Sequence, residues 1–190
     1  MNKIDRRLNT RFHVILFSLL TLMLTTPQVR AEPAMEIEAS VDATLARFRK
    51  EVKGADDYLK GAHAVLVMPS VKKLGFVVGG QWGEGALRIG GKTVDHYRMD
   101  VGSVGFQAGY QKSSFVFLFL TRDAIERFRA DKQWTVGVEG GMTVVDAGFG
   151  GSLDTLKSRD SVVAFILDRE GLMAGWSAKG TRFTKLQPKS

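Results

Sequence analysis

Cysteine is absent from the 190 residues. That removes disulfides, thiolate nucleophiles and Cys-ligated zinc, and with them the acylated cysteine that anchors a bacterial lipoprotein. Histidine is scarce. Of His13, His63 and His96, the first lies in an amino-terminal apolar segment. The other two are too few for the cluster of three or four close ligands that zinc needs, so no metal site is assigned. No Gly-x-Ser-x-Gly stretch occurs; Gly102-Ser103-Val104-Gly105 has the wrong spacing. Glu84, Asp95 and Asp100 are scattered, whereas hydrolytic chemistry needs nucleophile, base and orienting acid together. No catalytic residue is therefore assigned and the chain is not expected to be an enzyme; a pocket gathering Glu84, Asp95 and His96 would reverse that. No apolar run is long enough to span a bilayer as a helix, which takes roughly 20 residues. Dense positive charge is missing too. The net charge is +7, but Lys3, Arg6, Arg7, Arg11 and Arg30 lie with one acid, Asp5, in the first 31 residues, so the remainder carries +3. A nucleic-acid partner is not expected at that charge.

What is present begins with a basic start, an apolar run from Phe12 to Leu24, and Val29-Arg30-Ala31 with small residues at the −3 and −1 positions. This is the pattern of a secretory signal peptide cleaved after Ala31. Arg6-Arg7 is followed by Leu8 and Asn9, which favours the general export route over the twin-arginine one. The expectation is a signal peptide over 1–31, a single domain over 32–190, and a periplasmic or secreted protein without a lipid anchor.

Ala34 to Lys53 reads as an amphipathic helix, because Ile37, Val41, Leu45, Phe48 and Val52 fall on one face. Gly54 ends or kinks it, and Asp56 to Leu59 make a further helical turn closed by Gly61. His63 to Met68 reads as a buried strand stopped by Pro69, with a turn from Pro69 to Leu74. Strands are expected at Phe76–Gly80 and Gly85–Ile89, on either side of a loop-borne Trp82. Gly90-Gly91 is a hairpin signal. Although Ala86 to Thr93 loosely fits a phosphate loop, Leu87 and Ile89 alternate as in a strand and no helix follows, so neither nucleotide nor any other cofactor is expected. Strands follow at Thr93–Met99 and Gly102–Tyr110. Phe115 to Leu120 is apolar at both parities and should be central, covered on both faces. Thr121 to Ala130 is a short helix, for which Asp123 and Glu126 have capping-box spacing and Thr121 is the other candidate cap. Trp134 to Phe149 holds one or two strands, Ser161–Leu167 and Leu172–Ala178 pair, and Thr181–Lys185 is a final edge strand. The fold class is α+β: a strongly curved, mostly antiparallel sheet or partly open barrel of about eight strands with about three packed helices. Residues 34–60 form the leading helical region and 61–186 the β-rich body.

Several motifs resemble the SYLF domain family, a lipid-binding module also labelled actin-binding. They are Lys60-Gly61, Pro69, Val71-Lys72-Lys73, Gly75-Phe76, Gly79-Gly80 and Gly83-Glu84-Gly85, then Ser103 to Gly109, Phe115 to Phe119, and Gly171-Leu172-Met173-Ala174-Gly175. The ordered match covers most of Ala43 to Leu186 in a short exported form. Gly137-Val138-Glu139-Gly140-Gly141 departs from the family pattern. The resemblance implies binding to acidic phospholipid or phosphoinositide-like headgroups rather than catalysis. Arg47, Lys50, Lys53, Lys60, Lys72 and Lys73 are the bases that could face such a surface, with Trp82 as an interfacial aromatic. The alternative is a cell-envelope structural or interaction module that docks a protein instead of a lipid. Actin is not expected to be a partner of an exported chain.

Overall fold

The computed structural model describes residues 32–75, 78–104, 109–136, 142–146, 160–167 and 180–188. The proposed signal segment, the glycine-rich stretch at Gly137–Gly141, and the strand and Trp176 expected within Leu172–Ala178 lie outside them. Ala31–Ser190 is one compact unit.

Helix α1 spans Ala34–Glu51 and buries Ile37, Val41, Thr44, Leu45 and Phe48, the face the periodicity predicts. Gly54, at φ +81°, starts α2 (Ala55–Gly61), whose own buried residues are Ala55 and Tyr58. Four long strands follow: β1 (Ala64–Gly75), β2 (Val78–Ile89), β3 (Lys92–Val104) and β4 (Gly109–Phe119). Helix α3 (Arg122–Ala130) is capped by Thr121, whose side-chain oxygen accepts from the Ala124 N–H. Short strands β5 (Gln133–Thr135), β6 (Thr143–Asp146), β7 (Val162–Ile166) and β8 (Arg182–Leu186) complete one sheet in the order β5-β8-β3-β2-β1-β4-β7-β6. All pairings are antiparallel except β6 with β7. The α+β class, the strand number and the three helices are as expected.

The sheet is curled, as ring contacts show. Phe117 on β4 and Phe183 on β8 stand four strands apart in the order, which in a flat sheet would be about 19 Å at ~4.8 Å per strand. Their ring centroids are 5.2 Å apart. The concave face therefore closes on itself as a half-barrel. It is filled by Phe115, Phe117, Phe119, Tyr97, Met99 and Phe183 and plugged by α3 through Ile125 and Phe128. The convex face carries Val67, Ala86, Val116, Leu118 and Phe165 and is covered by α1 and α2. Strand β4 lies between β1 and β7 with alternate residues in the two cores, which is why it is apolar at both parities.

Four expectations need correction. The single strand expected over Gly102–Tyr110 is divided: its first residues end β3 at Val104 and its last open β4 at Gly109. Pro69 does not end the strand, and Lys72-Lys73 is not a turn: β1 continues to Gly75 through a bulge between Met68 and Val71. A bulge tolerates Pro because the bulged residue has no ladder partner, so the N–H that Pro lacks is not missed. The Pro69 carbonyl left out of register accepts from the Ser114 hydroxyl at 2.9 Å. Trp82 is not on a loop but half-buried within the continuous strand β2. The last strand is not an edge, since β8 is flanked by β3 and β5. At the Gly90-Gly91 turn both residues have positive φ, +57° and +79°, as a two-residue type I′ hairpin requires.

Candidate functional site

The bases proposed from sequence separate into two groups. Arg47, Lys50, Lys53 and Lys60 belong to the corner where α1 meets α2. Lys72, Lys73 and Trp82 belong to β1 and β2. Lys72 lies 3.9 Å from Glu32, just before α1 starts, whereas Lys50 and Lys53 lie at its other end. At ~1.5 Å per residue the helix holds them about 25 Å apart. The structure does not bring all seven residues into one patch.

At the corner Glu51 and Asp56 are engaged, whereas Asp57 is exposed with no ion-pair partner among the described residues. Arg47 pairs with Glu51 at 3.2 Å, and Arg49 with Asp56 at 3.1 Å across the Gly54 turn. Glu38 and Asp42, one helical turn apart, are both taken by Arg88 on β2, at 2.8 and 2.6 Å. Lys50, Lys53 and Lys60 are exposed and have no ion-pair partner among the described residues. Three unpaired lysines against one unpaired acid, Asp57, leave this corner with a net positive charge although the helix as a whole is rich in acids.

The strand group is mixed in sign. In antiparallel neighbours, directly paired residues share a face, so Asp100, Trp82, Lys72 and Lys112 make one row across β3, β2, β1 and β4. Glu84 lies on the same face, and one of its carboxylate oxygens accepts from the Glu32 backbone N–H at 2.9 Å. Lys73 alternates to the opposite face, paired with Gln81 and Gln111.

Sequence reasoning missed the polar clasp around Glu38. Its carboxylate accepts from Arg88 and from the Thr93 hydroxyl, and pairs with His96 Nε2, each at 2.8 Å. Burial alone would raise the Glu38 pKa, but the hydrogen bonds from Arg88, Thr93 and His96 and the Arg88 charge outweigh it and lower the value. The clasp fastens α1 to the β2–β3 hairpin. The only local sign of it was the spacing of Glu38 and Asp42, which marks a shared stripe but not its partner. Asp95 points to the concave side, where it holds Arg129 and Lys185. Glu84, Asp95 and His96 thus have three separate environments and form no common pocket.

Two hollows flank the exposed His63. One, of about 580 Å³, lies between α1, α2 and the hairpin and includes Arg49, Lys60 and Arg88 in its wall. The other, of about 560 Å³, lies between α3, the end of β2 and β8. Among the described residues, no group of three or more His, Asp or Glu side chains could hold a metal ion. No helix among them is long and apolar enough to cross a membrane.

Residues 100–188 match the family model described as Ysc84, Las17-binding protein actin regulator. The matched span begins within β3 and runs past β8, so it leaves out α1, α2, β1 and β2. No curated protein matches the chain.

Proposed function

We propose that this chain, whose residues 100–188 match the SYLF (Ysc84) family model, is an exported, non-catalytic module that docks on acidic phospholipid through the α1–α2 corner. One observation carries the reading: Lys50, Lys53 and Lys60 stand exposed while the neighbouring Glu51 and Asp56 are taken up by arginines. A lysine near an anionic membrane contributes about 1 kcal/mol, so the three together supply about 3 kcal/mol. That is weak binding, screened by salt over a Debye length of about 8 Å at physiological ionic strength, and suited to reversible docking. Phosphoinositide-like headgroups are the most highly charged members of the proposed ligand class. Export rests on the basic start, apolar run and Val29-Arg30-Ala31 pattern, and fractionation of cells producing the full chain tests it; recovery in the cytosol would refute it.

Co-sedimentation with vesicles tests the lipid reading. Binding to acidic but not neutral vesicles, lost at high salt, is the expected result. Salt-resistant binding, or equal binding to neutral vesicles, would overturn it. A protein partner is the second reading, favoured by the edge strands β5 and β6, each paired on one side only among the described residues. The family description names protein binding and actin regulation. Saturable capture of one envelope protein, or pelleting with actin filaments, in the absence of vesicle binding would move the assignment there.

A further inference from the structure

We propose that the hollow between α3, the end of β2 and β8 binds a phosphate ester with an apolar body. It is a second site, separate from the lipid-facing corner and independent of it. Its wall carries Arg122, Arg129 and Lys185 as cations, Ile89 and Ile125 as apolar surface, and Glu126 as the one acid. Beneath them Asp95, with a side chain only 8% exposed, accepts from Arg129 Nε at 3.2 Å through one oxygen and pairs with Lys185 Nζ at 2.5 Å through the other. A single buried carboxylate thus fixes two cations, leaving a surplus positive charge and holding both in place before any ligand arrives. Arg129 keeps its terminal NH2 groups, and Lys185 its remaining ammonium protons, for another acceptor. Arg122 has no acid partner among the described residues and offers a whole guanidinium fork from the first turn of α3.

The chemistry of these donors selects the ligand. Planar guanidinium forks match the terminal oxygens of a phosphate in bidentate fashion, which is where arginine outperforms lysine. The isoleucine surface has no use for a bare inorganic anion. It suits the carbon skeleton of an ester, in a hollow within the several-hundred-Å³ range of small-molecule sites. A phospholipid headgroup and a free sugar or glycerol phosphate share this chemistry.

NMR titration of the purified protein tests the site, with glycerol 3-phosphate and inorganic phosphate as soluble probes and the His63 ring and Ile125 methyl signals as reporters. Saturable shifts with the ester are expected. Arg122→Ala should weaken its binding about tenfold, the loss of one charge-assisted contact. Ala130→Trp places a bulky ring at an exposed lining position without changing charge and should weaken it similarly. Lys50→Ala/Lys53→Ala should leave it unchanged. Unaltered binding in Ala130→Trp would show surface charge alone at work and overturn the site, as would the absence of saturable shifts. Inorganic phosphate binding as tightly as the ester would overturn the ester assignment. Phosphatidate vesicles separate the two sources. With the corner disarmed in Lys50→Ala/Lys53→Ala/Lys60→Ala, binding to these vesicles that glycerol 3-phosphate displaces supports a lipid headgroup at this site; saturable ester binding by that variant without such vesicle binding supports a free ester.

Discussion

Replacing Gly85 by alanine should damage this fold more than most single methyl groups can. Gly85 lies on β2 under the bulge of β1, where the register with β2 is broken between Val67 and Lys72. A Cβ at Gly85 would stand 1.9 Å from the Val67 carbonyl oxygen and 2.6 Å from Met68 Sδ. The thioether can swing away, but the carbonyl belongs to a central strand paired on both sides. Overpacking in a core costs about 1–3 kcal/mol when side chains can yield. Here backbone must move, so the cost should reach about 3 kcal/mol. For a domain of this size that corresponds to a fall in Tm of about 6–12 °C. Gly83→Ala meets Ser70 O at 2.8 Å and Val71 Cγ2 at 3.0 Å, a milder conflict, and should fall between Gly85→Ala and wild type. Gly102→Ala meets nothing within 4 Å and should be neutral or stabilise by about 0.5–1 kcal/mol through lost chain entropy in the unfolded state. Thermal and urea denaturation of the three variants gives the ranking. A Tm for Gly85→Ala equal to wild type, or below which Gly102→Ala falls, would refute the close approach of the bulge to β2.

Other expectations follow from buried polar groups. The Tyr97 hydroxyl is buried without a hydrogen-bond partner among the described residues, so Tyr97→Phe should be neutral or stabilise by about 1 kcal/mol in urea denaturation, because an unsatisfied polar atom is removed. Burial, then the charge of Asp95, push the Tyr97 pKa up to about 12 against the opposing effect of Arg129. The unfolded chain would ionise first, near 10, so stability should fall as pH rises from about 10 towards 12, with phenolate absorbance following unfolding. For Glu38 the sign is opposite. Its folded pKa is depressed, so the clasp stabilises the fold above the ordinary carboxylate value, and this is lost as pH falls through the lower folded value. Glu38→Gln should be less stable than wild type at pH 7, with the gap narrowing in acid; a constant gap would show that ionisation of Glu38 is not involved.

Local periodicity carried much of the architecture. The buried face of α1 followed from Ile37, Val41, Leu45 and Phe48, and the central place of β4 from apolar residues at both parities. The Gly90-Gly91 hairpin followed from turn chemistry alone. The run through Pro69 was not legible, because it depends on a bulge whose freed carbonyl is met by Ser114, 45 residues away in sequence. The interior position of β8 depends on β5, a strand of three residues too short to leave a pattern. Of the candidate site, the residue types could be named but not their neutralisation: whether a base is free depends on long-range partners, such as Arg88 for Glu38 and Asp42. For the same reason Arg122, Arg129 and Lys185, spread over a helix and a distant strand, gave no motif.

The most direct test of the lipid-docking account compares two variants on acidic vesicles at low salt. Lys50→Ala/Lys53→Ala/Lys60→Ala removes the unpaired bases of the corner, and Lys72→Ala/Lys73→Ala removes the strand pair. At about 1 kcal/mol per lysine, the triple variant should bind roughly a hundredfold more weakly than wild type. The double variant should stay close to wild type, since Lys72 lies beside Glu32 and Lys73 points to the other face. A double variant that loses binding while the triple variant keeps it would contradict the account and move the membrane-facing surface to β1 and β2.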